Sequence, residues 1–204
     1  MKLFYKRDTF VLFAALLALA VLTLLHSELN PALKYTRVGL QQGQLWRLFS
    51  AHIVHLNLHH GLMNGAGLLV TMLLVGRLFS ITFWCLMGAL ISLGISLALY
   101  MFSPDVLWYV GFSGTLHGLL VLGLLSSFIA GDKLHGLALL VVFGKVIREQ
   151  LPDFDIHHLQ EAISAAVVVD AHLYGALLGV GIALVYYAIK RLKSRSKNAE
   201  SKIS

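Results

Sequence analysis

The sequence predicts an all-α polytopic membrane protein, a bundle of six transmembrane helices. Of its 204 residues, 58% are hydrophobic and only 13% are charged, against roughly 45–50% and 25% in an average soluble domain. The mean hydropathy of +0.79 excludes a water-soluble globular chain. Apolar runs recur at 10–25, 58–75, 81–101, 112–130, 134–147 and 165–189, and a helix of about 20 such residues crosses a bilayer core.

The first run follows Lys2, Lys6 and Arg7 as in a signal peptide, but His26-Ser27-Glu28 offers no small-x-small cleavage pattern, so it reads as a retained span. Residues 27–57 form the longest polar connection and read as an outer, interface-lying loop in which Trp46-Arg47 anchors at headgroup level. The fifth run is short, with the least secure limits. Residues 1–190 thus form one six-helix membrane domain, and 191–204 a basic tail with no assigned fold that contacts anionic lipid. Six crossings put both termini on one face, which holds eleven of the sixteen Lys and Arg and is therefore cytoplasmic. Because the basic residues cluster at the ends and form no stripe, nucleic acid is not an expected partner. Asp153, Asp155, His157 and His158 read as a solvated outer loop, and the single Cys85 as a small packing residue that excludes an intramolecular disulfide.

The ten histidines equal the aspartates and glutamates combined, and imidazoles are costly in lipid without partners. Three polar constellations account for most of them. In the fourth run, Ser113 follows Gly111 within a turn of the outer end, with Gly114 and Gly118 four apart, a spacing that lets another helix backbone approach. In the sixth, His172 lies at the same outer depth, followed on its own face by Gly175 and Gly179. Matched glycine faces would bring the imidazole within reach of the hydroxyl, as activating a serine requires. In the second, His52, His55, His59 and His60 cluster, and His60 and Asn64 share a helical face suited to an oxyanion hole. A metal or haem site is disfavoured because no HExxH occurs and glutamate is absent from every apolar run.

Together, Gly111-x-Ser113-Gly114, His172-x-x-Gly175-x-x-x-Gly179, His60-x-x-x-Asn64 and Trp46-Arg47 resemble a rhomboid intramembrane serine protease over residues 46–180. Rhomboids often carry a tyrosine four residues after the serine; His117, followed by Gly118, stands there instead, and this form is similar to the rhombosortase subfamily. The resemblance implies Ser113 as nucleophile, His172 as general base, and an oxyanion site built from the Ser113 amide, His60 and Asn64. His55, His117, Gly111 and Gly114 would line the site, with His117 hydrogen-bonding rather than only stacking. Asp170 is two residues from His172 and faces elsewhere on a helix, so a Ser–His dyad is expected. No cofactor is implied. The implied substrates are exported proteins with a C-terminal GlyGly-CTERM tail: a glycine-rich motif, an apolar span and a basic end. The acyl-enzyme is open to two acceptors, water or an amine-bearing lipid headgroup. The implied location is the bacterial inner membrane, with the active site toward the periplasm. Two competing readings are a catalytically silent rhomboid-like protein that binds client helices and a histidine-ligated metal or haem protein.

Overall fold

Each apolar run folds as a helix in the computed structural model, which describes residues 6–154 and 167–200. Lys2, Asp155, His157, His158, Lys202 and the first two positions of the sixth run lie outside the described residues. Of the described residues, 78% are helical. Helix α1 (Lys6–Leu24) turns by 95° into the short α2 (His26–Leu33). The long connection from α2 to the next long helix then forms a two-residue strand β1 (Tyr35–Thr36) and the single-turn helices α3 (Arg37–Gln41) and α4 (Arg47–Ser50). Among the described residues, five more α-helices follow: α5 (Leu58–Val75), α6 (Ile81–Phe102), α7 (Ser113–Ile129), α8 (Lys133–Glu149) and α9 (Val169–Glu200). Strand β2 (Trp108–Tyr109) precedes α7 and pairs antiparallel with β1, Tyr35 opposite Tyr109.

The helix ends are set by side chains that satisfy orphan backbone groups. Asn57 caps α5 by accepting the His60 amide, Ser80 caps α6, and Asp132 caps α8 through the Leu134 and His135 amides. At the C-terminal end of α6 the Arg37 guanidinium donates to the carbonyls of Leu99, Tyr100 and Ser103 at 2.9–3.0 Å, placing a cation against the negative end of the helix dipole.

By length and composition, α5 with its following turn, α6 and α9 can cross a membrane, and the bent α1–α2 pair makes a fourth span if counted as one. Helix α7 is apolar but has only 17 residues, about 26 Å at 1.5 Å per residue, short of a hydrocarbon core of about 30 Å. Its brevity follows from its position. It is the most enclosed helix, packed against α5, α6, α8 and α9, with Val121, Leu122 and Leu124 fully buried. Most of its side chains therefore meet protein, while Phe128 and Ile129 at its C-terminal end stay exposed.

Two local expectations change. Arg47 is no headgroup anchor: it is buried and donates to the carbonyls of Lys34 and Pro31 and to Gln44 Oε1, holding this connection together from within. A buried guanidinium with five donors is suited to collecting such orphan oxygens. Trp46 and the neighbouring Leu45 and Phe49 do remain exposed, an apolar surface of the kind that lies at an interface. The basic tail is also helical over residues 191–200, since α9 continues unbroken to Glu200; extending a nucleated helix costs far less than starting one.

Candidate active site

Helices α7 and α9 meet along their glycines. A Cβ at Gly175 would stand 2.0 Å from the Gly114 carbonyl oxygen, and one at Gly179 would stand 2.3 Å from that of Gly118. No side chain fits there, so the two backbones touch. This contact brings the first turn of α9 beside the first turn of α7, where the Ser113 hydroxyl lies 3.0 Å from His172 Nε2. The equal depth and matched faces legible in the sequence are therefore realised as a hydroxyl–imidazole hydrogen bond.

The other side of the His172 ring meets a residue absent from the sequence expectations. Glu149, the last residue of α8, lies 2.9 Å from His172 Nδ1 through Oε2, and its side chain is only 2% exposed. Its second oxygen accepts from Lys145 Nζ at 2.6 Å, one helical turn earlier. The same ammonium donates to His117 Nε2 at 3.1 Å, and His117 Nδ1 donates to the Ser113 carbonyl at 2.8 Å. His117 also stacks on His172, with ring centroids 4.2 Å apart and planes 20° from parallel. It thus both stacks and hydrogen-bonds. Glu149 ends α8 beside the first turns of α7 and α9, which carry Ser113 and His172. The limits drawn for the fifth run stopped two residues short of it.

This glutamate removes one premise of the sequence argument against metal. His117, Glu149 and His172 offer ligand atoms within 4.8 Å of one another. The Lys145 ammonium, however, is already hydrogen-bonded to two of the three, and its charge opposes a second cation at that point.

His60 and Asn64 sit on α5 across from Ser113, both buried. Asn64 Nδ2 donates to the His60 carbonyl at 3.2 Å, and His60 Nδ1 is buried without a hydrogen-bond partner. Gly111 adopts φ +119°, a conformation that side chains rarely adopt, and a Cβ there would lie 2.6 Å from the His60 ring. The Tyr109 hydroxyl donates to the Gly111 carbonyl at 2.6 Å and pins this turn. His55 does not reach the cavity; its ring packs edge-on against His60 at 5.0 Å. Asp170 faces away from His172 and accepts from Ser103 Oγ, which also bonds the Tyr174 hydroxyl.

His52 belongs to a separate structural network. Ser96 Oγ donates to the Leu48 carbonyl and so accepts from His52 Nε2, while His52 Nδ1 accepts from Thr115, which in turn accepts from Ser92. Burial pushes the His52 imidazole down to about 3, so it stays neutral and joins the connection between α2 and α5 to α6 and α7. His55 is likewise held down to about 3, first by burial and then by the neighbouring His60.

Ser113, His172, His60, Asn64, His117, Lys145 and Glu149 all border one cavity of about 310 Å3, walled by Met63, Gly67 and Val70 of α5 and Val142 of α8. A floor of polar side chains thus opens between α5 and α8. A family model described as Rhomboid domain matches residues 42–189, which include every residue of this site. No curated protein matches the chain.

Proposed function

Because the chain belongs to the rhomboid family, a family of intramembrane proteases, we propose that it is an active serine protease of the rhombosortase kind. In this reading it crosses the bacterial inner membrane six times with both termini cytoplasmic, and cleaves the C-terminal GlyGly-CTERM tails of exported proteins on the periplasmic side. The observation that carries catalysis is the 3.0 Å contact between Ser113 Oγ and His172 Nε2, a distance at which an imidazole takes a hydroxyl proton as a nucleophile attacks.

Ser113 Oγ attacks the scissile carbonyl while its proton passes to His172 Nε2. The oxyanion is met by the Ser113 amide, His60 and Asn64, donors that border the same cavity. His172 then returns the proton to the leaving amine, and the acyl-enzyme passes to water or to a lipid-headgroup amine. The cavity supplies the polar surroundings that hydrolysis needs at a depth where lipid excludes water. The gap between α5 and α8 gives a membrane-embedded segment a lateral path to Ser113. Glycines in that segment favour it as a substrate, because a glycine-rich stretch gives up its helix cheaply and bares its backbone.

A fluorophosphonate probe and co-expression with a GlyGly-tailed membrane protein test the reading together. The wild type is expected to label and to shorten the tail, and Ser113→Ala and His172→Ala to do neither. A wild type that binds the tail but neither labels nor cleaves it is a client-binding protein instead.

A further inference from the structure

We infer that Glu149 is a positioning residue for His172 and that the site is a Ser–His–Glu relay rather than a dyad; the inference rests on the protease reading above. Three observations converge on it. The carboxylate is 2% exposed, so its location is not the chance pose of a surface acid. Its Oε2 is 2.9 Å from Nδ1 of His172, the nitrogen opposite the one that faces Ser113. Its other oxygen is held by Lys145 at 2.6 Å, which fixes the carboxylate and offsets its burial.

The physical consequence concerns which nitrogen carries the imidazole proton. A carboxylate at Nδ1 stabilises the tautomer protonated there, leaving the Nε2 lone pair toward the hydroxyl of Ser113. Without it, the tautomer protonated at Nε2 competes, and that form points a hydrogen at the nucleophile and cannot act as base. During acylation the Ser113 proton moves to Nε2, the Oγ–carbon bond forms, and the leaving amine departs with that proton. Glu149 stays ionised throughout and stabilises the transient imidazolium across the Nδ1–H bond. Lys145 links this pair to the other ring of the stack, because it also donates to His117 Nε2.

The test uses the full-length protein in liposomes, with fluorophosphonate labelling and tail cleavage both followed as rates. Glu149→Gln keeps the side-chain volume but places an amide at Nδ1. Lys145 is half exposed and can turn to water, so the exchange strands no buried cation. Glu149→Gln is expected to lower the labelling rate and kcat about a hundredfold or more, with KM and the thermal unfolding temperature little changed. Glu149→Asp is expected to recover part of the rate. Wild-type labelling by the Gln variant overturns the inference and leaves the protease reading standing. Gln and Asp variants that are equally slow, with raised KM and lowered unfolding temperature, overturn it in favour of a purely structural role. A wild type that does not label removes the protease reading, and this inference with it.

Discussion

At the scale of single residues, the substitution of histidine for the aromatic that rhomboids often carry four residues after the serine changes what that position does. His117 keeps the stack on His172, at 4.2 Å between centroids, and adds a donor to the Ser113 carbonyl and an acceptor for Lys145. The stack and the hydrogen bonds are separable by mutation. Aromatic pairs are worth about 0.5–1.5 kcal/mol beyond their buried area, and 1.4 kcal/mol is a factor of about ten in rate. His117→Phe retains the ring and is expected to cleave up to about tenfold faster than His117→Ala in a side-by-side rate measurement. Equal rates for the two would show that the stack does not hold His172.

At the scale of elements, the site depends on two helices lying closer than side chains permit. A Cβ at Gly175 would enter the Gly114 carbonyl at 2.0 Å, so Gly175→Ala must push α9 off α7 and stretch the bond between Ser113 and His172. Overpacking of this kind costs about 1–3 kcal/mol. Gly175→Ala is expected to lose probe labelling and to unfold at lower temperature. Gly181→Ala, on the same helix with nothing within 4 Å of its Cβ position, should change neither. This contact was legible in the sequence because small residues at fixed helical spacing on two runs of known direction leave few ways to pack. Glu149 was harder to read because it is brought to His172 by a third helix, whose register against the other two is set by packing, not by any spacing in its own run. The same holds for Arg47 and His52, whose partners, Gln44 aside, lie 13–63 residues away in the chain. A cation or imidazole in an outer loop reads as a surface group until the fold shows the carbonyls and hydroxyls it serves.

At the scale of the whole molecule, the question is how a protein-enclosed site reaches a substrate that lies in lipid. Ser113 begins a short central helix sheathed by its neighbours, so a transmembrane segment must pass between two of them. The cavity over Ser113 is walled on one side by α5 and on the other by α8. Helix α8 is at once a wall of this cleft and the carrier of Lys145 and Glu149, so its position couples access to the geometry of His172. A passage that widened by moving α8 would withdraw Glu149, whereas one that widened by moving α5 would leave the relay intact. Val70 and Val142 face the cleft from the two sides, and with Cys85 replaced by serine, cysteines at both positions can be joined by a short bis-maleimide. Joining them is expected to stop cleavage of a membrane-embedded tail while a small fluorophosphonate still labels Ser113. Cleavage that continues after complete cross-linking would place the substrate's path elsewhere; loss of labelling as well would show that α8 must move for the hydroxyl to react at all.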